Sequence, residues 1–228
     1  MPDYRQLYAA EAERYQRLVA AEDHEGELPR ALKRIVELDG ARVVEIGMGT
    51  GRVTGLLLSA GASVSGYDQS PAMIAVARRV LGERFQAIVA DVRDILLPLG
   101  GADLAIAGWA LGHFCEWYAG NWQDEIDAVL SKMWGTLDRG GTLVILETLG
   151  TGSEQPAAPN PELAAYYQFL EGSWGLCREQ LRTDYRFDSL EAALDSIGFF
   201  FGPELADRVR ARRWQVVPEW TGLWWKQK

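Results

Sequence analysis

A glycine-rich turn is the feature of this 228-residue sequence that most directly indicates chemistry. The β-branched run 42–46 ends at Gly47-Met48-Gly49-Thr50-Gly51, and a helical pattern begins at Val53. In an open α/β sheet, ligands bind outside the carboxyl ends of the strands, and glycines there let the backbone approach the ligand closely. The turn therefore predicts a nucleoside-like ligand.

The spacing of these glycines bears on which nucleoside is bound. Nicotinamide dinucleotide sites commonly carry G-x-G-x-x-G at this place. Here Arg52 occupies the position of the third dinucleotide glycine, the spacing is G-x-G-x-G, and Glu45 stands shortly before the first glycine. An oxidoreductase that uses a nicotinamide dinucleotide remains an alternative, as does a glycine turn that only lets a strand pack tightly against a helix.

Two acidic residues follow the next two predicted strands. Asp68 comes 17 positions after Gly51, where a carboxylate can accept hydrogen bonds from both hydroxyls of a ribose. Asp91, between Ala90 and Val92, follows the third strand, where it can meet an adenine amino group. A surface cap is the alternative role for Asp68, and a plain turn is the alternative for Asp91.

Alternating strand and helix patterns position these residues. Helical spacing covers 4–21 and 28–38, before the first strand. The later strands are predicted at 63–67, 85–90, 102–107 and 141–147, and the helices between strands at 53–60, 71–81 and 122–134. Such βα units give an α/β fold in which a mostly parallel sheet carries helices on both faces.

The part of the chain after residue 150 is predicted to complete the sheet. Its predicted elements are a surface loop at 151–162, a helix at 163–170, a strand at 182–187, a helix from the N-cap Ser189 to 197, a short helix at 203–210 and an apolar strand at 214–225. The two late strands predict an antiparallel hairpin at one edge of a seven-stranded sheet. We expect one domain over 1–228, with residues 150–175 inserted before the last two strands.

Composition narrows the class of partner. The formal charge of −9 disfavours nucleic acid, because affinity for nucleic acid depends largely on Lys and Arg that neutralise phosphates. No apolar stretch reaches the roughly 18 residues of a membrane span, and the first residues lack an apolar signal core, so we expect no membrane partner and a cytoplasmic location. Cys115 and Cys177 are expected to be free thiols, no metal-ligand spacing occurs, and the oligomeric state stays open.

Four segments, taken in order, resemble the class I S-adenosylmethionine-dependent methyltransferase superfamily. VVEIGMGTG resembles its first motif, GYDQSPAM its second, IVADVRD its third, and LDRGGTLVILE its post-catalytic strand. The resemblance covers roughly 28–147, and it implies a Rossmann-like three-layer sandwich with S-adenosylmethionine as cofactor. One position departs from the common pattern, since Arg139 replaces the proline of the usual proline-glycine-glycine turn.

The resemblance also implies which residues contact the cofactor. Glu45 and the three glycines would contact the methionine moiety and the ribose, and Asp68 would bind the ribose. Asp91 and Val92 would contact the adenine. The full set of implied cofactor-binding residues is Glu45, Gly47, Gly49, Gly51, Asp68, Gln69, Met73, Asp91, Val92, Ala107, Trp109 and Tyr15.

The segment after the fourth strand, GWALGHF, lies where this family usually places substrate-side groups. Ala107 and Trp109 would touch the sulfonium end, and the ring face of Trp109 or Trp117 can favour a cation. Both histidines, His24 and His113, fall in segments expected near the site, and His113 is the candidate general base because the pKa of an imidazole lies naturally near the working pH. Capping of the next segment, or contact with substrate without proton transfer, is the alternative.

The predicted helices within 1–38 resemble a lid of small-molecule members of the family. Tyr8 and Tyr15 would face the cofactor from this lid, with core packing as the alternative for either ring. The C-terminal tail is similar to that of uncharacterised bacterial methyltransferases. We therefore expect a bacterial enzyme that methylates a small-molecule acceptor at an unidentified atom; a dinucleotide-linked oxidoreductase and a non-catalytic cofactor-binding protein are the alternatives.

Overall fold

A seven-stranded sheet forms the centre of the computed structural model, which describes residues 4–228. The strands are β1 (Arg42–Ile46), β2 (Ser63–Asp68), β3 (Gln86–Val89), β4 (Ala102–Gly108), β5 (Leu137–Thr151), β6 (Cys177–Arg182), β7 (Tyr185–Arg186), β8 (Val216–Val217) and β9 (Glu219–Gln227). The order in the sheet is β3-β2-β1-β4-β5-β9-β6, and β7 pairs separately with β8. Strands β1 to β5 pair in parallel, whereas β9 is antiparallel to β5 and β6. The predicted seven-stranded, mostly parallel sheet is confirmed.

Helices flank the sheet and connect its strands. They are α1 (Tyr4–Ala10), α2 (Ala12–Val19), α3 (Glu27–Ile35), α4 (Arg52–Ser59), α5 (Pro71–Leu81), α6 (Phe114–Trp117), α7 (Trp122–Thr136), α8 (Pro161–Gly172), α9 (Leu190–Phe201) and α10 (Pro203–Arg212). Ser70, Asn160 and Ser189 cap α5, α8 and α9, because each side chain accepts a hydrogen bond from the backbone N–H three residues later. Among residues 4–228, no helix is long and apolar enough to cross a membrane.

The sheet has an apolar core on each face. Along β4, Leu104 and Ile106 face the layer that contains α3 and α4, whereas Ala105 and Ala107 face the layer that contains α7 and α8. Each of these four side chains is at most 1% exposed. The alternation follows from the two-residue period of a strand, and it produces three layers, helix on sheet on helix.

Two predicted elements differ from the structure. The helix predicted over 4–21 is interrupted at Glu11, whose φ of −125° and ψ of 27° are not helical. From Tyr4 onward, three helices and not two therefore precede β1. Within the strand predicted at 182–187, Tyr185–Arg186 form the short strand β7, which pairs with β8. The edge strand of the seven-stranded sheet lies earlier, at Cys177–Arg182, where the side chains are mostly exposed. Main-chain pairing with β9 holds this strand, and a pattern of side chains does not reveal such pairing.

Candidate functional site

The glycine turn after β1 has the backbone that its residues predict. Gly47, Gly49 and Gly51 have φ angles of +68°, +55° and +88°, in the left-handed region that side chains disfavour. A Cβ on Gly47 would collide with the Cβ of Ala110, and a Cβ on Gly51 would approach Leu81 Cδ1 to 2.6 Å. The turn therefore brings the main chain close to the segment after β4 on one side and to α5 on the other.

A cavity of about 300 Å³ lies at the carboxyl ends of β1, β2, β3 and β4, and we call it the strand-end cavity. This is the edge at which open α/β sheets bind their ligands. Most of the residues that the sequence predicted for the site line this cavity: Tyr15, Gly47, Gly49, Asp68, Gln69, Met73, Asp91, Val92, Trp109 and His113.

Three predicted residues lie behind the wall of this cavity. Glu45 is 2% exposed and accepts a hydrogen bond of 2.6 Å from Thr54 Oγ1, so it joins β1 to α4 beneath the turn. Burial raises the pKa of Glu45 to about 8. Gly51 faces α5, and Ala107 belongs to the core beneath β4. These three residues support the residues that form the wall.

The two acidic residues at the strand ends differ in their surroundings. The carboxylate of Asp68 accepts hydrogen bonds of 2.8 Å from the backbone N–H groups of Gly49 and Ser70, and burial raises its pKa. Burial also favours a higher pKa for Asp91, but hydrogen bonds from Arg93 outweigh it, and the pKa of Asp91 is lowered. Asp68 is thus held by neutral donors, whereas Asp91 is already neutralised by a cation.

A larger cavity of about 740 Å³ adjoins the first, and we call it the side chamber. Its wall comes from α1, α2, the segment between β4 and α6, the carboxyl end of β5, the start of β9, and helices α9 and α10. Four residues line both cavities, and we call them the boundary residues: Tyr8, Tyr15, Trp109 and His113. A group bound in one cavity faces the other at these residues.

His113 is a partly buried boundary residue whose lowered pKa favours the neutral ring. Its Nε2 shares a hydrogen bond of 2.9 Å with the Tyr8 hydroxyl, and its ring stacks on Trp117 with centroids 4.8 Å apart. Burial lowers the pKa of His113 to about 4, so the near-neutral pKa expected from sequence was wrong. His24, which was also expected near the site, lines neither cavity.

Trp109 has an unusual backbone conformation, and an arginine of the chain lies over its ring. Its φ of +51° is left-handed, which is rare for a bulky residue and is typical of functional positions. The guanidinium of Arg52 lies 3.3 Å from its ring centroid, and Arg52 also forms a buried ion pair with Glu22. The ring face of Trp109 or Trp117 was predicted to favour a ligand cation, and in the structure an arginine of the chain lies over each ring, Arg52 over Trp109 and Arg5 over Trp117.

Two buried carboxylates of the side chamber were missed from the sequence. Glu147, at the carboxyl end of β5, accepts a hydrogen bond of 2.8 Å from the Gly112 N–H. Glu219, at the start of β9, accepts one of 2.9 Å from Thr148 Oγ1. Burial raises the pKa of each carboxyl to about 8. A single acid that directly follows the apolar run LVIL was the available signal for Glu147.

Comparison with known proteins agrees with this geometry. A family model described as a methyltransferase domain matches residues 44–145. An uncharacterised methyltransferase of Bacillus mycoides is 29% identical over 118 residues, which are 52% of this chain and 52% of that relative. Residues 44–145 are therefore similar to a methyltransferase domain, as the four sequence motifs predict. The chain spans about half the length of the curated relatives that it matches.

Solved structures share the methyltransferase fold over nearly the whole chain. The magnesium protoporphyrin IX methyltransferase of Synechocystis superposes with a TM-score of 0.53 at 17% identity, covering 96% of this chain and 94% of that one. A chain from a Haloferax volcanii complex of a methyltransferase with the Trm112 activator gives 0.56 at 20% identity, covering 97% and 98%. At this level of identity the likeness establishes the fold.

The residues of the strand-end cavity suit S-adenosylmethionine, the cofactor of this superfamily. Each oxygen of Asp68 accepts one backbone hydrogen bond and keeps a further acceptor site for a ribose hydroxyl. A Cβ on Gly49 would have Met73 Cε as its nearest neighbour at 3.8 Å, so the turn leaves room beside an apolar side chain. An acidic acceptor, an open glycine turn and an apolar wall are what a nucleoside requires.

Proposed function

We propose that the chain is an S-adenosylmethionine-dependent methyltransferase whose acceptor is a small molecule held in the side chamber. The observation that carries this proposal is the shared boundary of the two cavities. A cofactor in the strand-end cavity would present its methyl group toward the boundary residues. An acceptor in the side chamber would approach that group from the opposite side.

Within this proposal, the residues of the strand-end cavity bind and orient the cofactor. Asp68 accepts hydrogen bonds from the ribose hydroxyls, Gly47 and Gly49 let the main chain approach, and Asp91 with Val92 borders the adenine. The cofactor supplies an activated methyl group when bound. The protein therefore has to align the acceptor and exclude water, and alignment alone can supply much of the rate acceleration.

The side chamber supports a small molecule over a macromolecule as acceptor. Its volume of about 740 Å³ lies within the range of about 300–1,000 Å³ that is typical of small-molecule sites. Helices α1 and α2 contribute to its wall, and the formal charge of −9 disfavours a nucleic-acid acceptor.

We infer that α1 and α2 form a lid over both cavities, as part of a single domain. The Tyr8 carbonyl accepts a hydrogen bond of 3.4 Å from Ser70 Oγ, and Arg14 pairs with Asp195 of α9 at 3.0 Å. His113, which shares a hydrogen bond with the Tyr8 hydroxyl, is a weak base at neutral pH because its pKa is about 4. It therefore suits contact with the acceptor and alignment of the lid better than proton removal.

Calorimetric titration of the protein with S-adenosylmethionine, S-adenosylhomocysteine and oxidised nicotinamide dinucleotide tests the proposal. We expect micromolar binding of the first two and none of the dinucleotide. Binding of the dinucleotide alone would establish an oxidoreductase instead. Cofactor binding without methyl transfer to any member of a broad acceptor panel would favour a non-catalytic cofactor-binding protein.

A further inference from the structure

Resting on the proposed function and deepening it, we propose that the side chamber receives its acceptor as a protonated amine on an aromatic or apolar body. Two buried carboxylates of the chamber, Glu219 first and Glu147 second, would bind the ammonium group. The enzyme would then be an amine N-methyltransferase.

Glu219 is a buried carboxylate with an unused acceptor. The residue is 1% exposed, and its Oε1 accepts the hydrogen bond from Thr148. Within residues 4–228, its Oε2 has no hydrogen-bond partner, although it is shielded from bulk water. Buried polar atoms are nearly always hydrogen-bonded, and an unpaired one indicates a missing donor. Because Glu219 lines the side chamber, a ligand can supply that donor.

The two arginines that line the chamber, Arg52 and Arg208, already interact with other groups of the chain. Arg52 pairs with Glu22 and lies over the Trp109 ring, and Arg208 donates a hydrogen bond to the Gly152 carbonyl. Neither arginine is available as the main partner of an anionic ligand, so the chamber does not resemble a site for an acidic acceptor.

The two carboxylates lack a cation of their own. Within the part of the chain that the structure describes, neither Glu147 nor Glu219 forms an ion pair. Both accept hydrogen bonds from neutral donors, which include the Gly112 N–H for Glu147 and the Thr148 hydroxyl for Glu219. A ligand cation would therefore provide the countercharge that the fold leaves out.

Both carboxylates are connected to the boundary residues. Glu147 binds the N–H of Gly112, the neighbour of His113 in sequence. Glu219 lies within electrostatic reach of Arg52, which covers the ring of Trp109. A nitrogen held by these carboxylates thus lies toward the side from which a methyl group would be delivered.

An aromatic wall lines the same chamber as the carboxylates and suits the body of such an amine. The ring of Phe200 lies 5.4 Å from that of Tyr4, 5.5 Å from that of Tyr15 and 4.9 Å from that of Phe201. All four residues line the side chamber. These rings are tilted or edge-on to one another, and together they form an apolar wall against which an aromatic or aliphatic group can pack.

The carboxylates also suit the proton balance of the reaction. An ammonium group must lose a proton before its nitrogen can attack, and a buried carboxylate can accept that proton. The nitrogen lone pair then forms the N–C bond while the methyl C–S bond breaks, and the electron pair of that bond stays on sulfur. The product is a methylated ammonium, a neutral thioether and one proton released to solvent.

Calorimetry with three matched probes tests this inference on protein saturated with S-adenosylhomocysteine. The probes are phenethylamine, 2-phenylethanol and 3-phenylpropanoate, which present a cation, a neutral hydroxyl and an anion on a similar body. We expect phenethylamine to bind at least about tenfold more tightly than the other two. Equal affinities, or binding of none of the three, would overturn the inference.

Glutamine variants test whether Glu219 and Glu147 cause the preference for phenethylamine. We expect Glu219→Gln to abolish the preference for phenethylamine, and Glu147→Gln to reduce it. Glu83→Gln, an exposed matched control, should leave it unchanged. Unchanged affinity for S-adenosylhomocysteine shows that each variant is folded. A preference that survives in both Glu219→Gln and Glu147→Gln would remove these residues from the site.

The pH dependence of phenethylamine binding distinguishes a ligand-binding role of Glu219 from a purely structural role. The groups near it are Glu22, Arg52, Tyr167, Asp184 and Tyr185. Because the pKa of Glu219 is about 8 without ligand, an ammonium group should displace a proton from it at pH 7. Affinity for phenethylamine, whose own pKa is about 10 as for lysine, should therefore rise between pH 6 and 8. Affinity that is independent of pH would contradict the assignment.

The outcomes distinguish this inference from the proposed function. If the wild-type protein does not bind S-adenosylhomocysteine, the proposed function fails. If it binds S-adenosylhomocysteine but does not prefer phenethylamine, only the assignment of an amine acceptor fails.

Discussion

The strand-end cavity and the side chamber are built in different ways. Many residues of the first lie at or just after the ends of successive strands, such as Gly47, Asp68 and Asp91. The second joins segments that are far apart in sequence, from Tyr4 to Glu219. The strand-end cavity therefore follows from the sheet, whereas the side chamber depends on how the flanking helices pack.

This contrast extends to electrostatics. At the strand ends, Asp68 is held by backbone N–H groups of its own turn. In the side chamber, the ion pair of Arg52 and Glu22 joins α4 to the segment after α2 and is nearly buried, with side-chain exposures of 14% and 1%. The chamber should therefore be the more sensitive region to loss of a single charge.

The largest effect that we expect comes from Arg52→Met. This change leaves Glu22 buried without its cation, and it should lower the free energy of unfolding by about 3 kcal/mol, as measured by urea denaturation. Arg79→Met is the matched control, because Arg79 and Glu13 form an exposed pair whose loss should lower the same quantity by less than about 1 kcal/mol. Equal effects of the two substitutions on the free energy of unfolding would show that the side chamber is not especially sensitive to loss of a charge.

The next effect concerns the strand-end cavity. Asp68→Asn removes a charged acceptor from the ribose hydroxyls and should weaken binding of S-adenosylhomocysteine by about 2 kcal/mol, or roughly thirtyfold in Kd. Asp94→Asn, at an exposed position nearby in sequence, is the control. Calorimetry that gives the same Kd for both variants and the wild type would remove Asp68 from the cofactor site.

A pH-dependent effect should arise beneath the glycine turn. The pKa of Glu45 rises from 4.5 to about 8 on folding, so the folded protein binds more protons than the unfolded chain between these values. Its contribution to stability is complete below pH 4.5 and is lost as the pH rises through 8. Glu45→Gln should remove a slope of up to about 1.4 kcal/mol per pH unit in this window. Parallel profiles for the variant and the wild type, from urea denaturation at several pH values, would disprove the shift.

The smallest effect should come from the boundary between the two regions. Tyr8→Phe removes the hydrogen bond to His113, which corresponds to about 1 kcal/mol, and should speed dissociation of S-adenosylhomocysteine roughly fivefold. Stopped-flow tryptophan fluorescence measures this rate. Tyr4→Phe is the control, since Tyr4 lines the side chamber alone. An unchanged rate in Tyr8→Phe would show that the lid does not retain the cofactor.

Prediction from the sequence succeeded best where structure is local. The bounds predicted for β1 and α5 match the structure, because a β-branched run, a glycine turn and a capped helix each depend on neighbouring residues. Prediction failed for the edge strand β6, whose exposed side chains carry no pattern. It also failed for the pKa of His113, since burial by Tyr8 and Trp117 depends on residues from other elements.

The sequence by itself determined the three-layer α/β fold, the likeness of its central part to a methyltransferase domain and the strand ends at which Gly47, Gly49 and Asp68 lie. These follow from periodicity and from short motifs, which act over a few residues. Only the tertiary structure decided that Glu147 and Glu219 share a buried chamber and that Tyr8, Tyr15, Trp109 and His113 separate it from the strand-end cavity. The physical reason is that burial and its effect on pKa arise from the packing of segments that are distant in the chain.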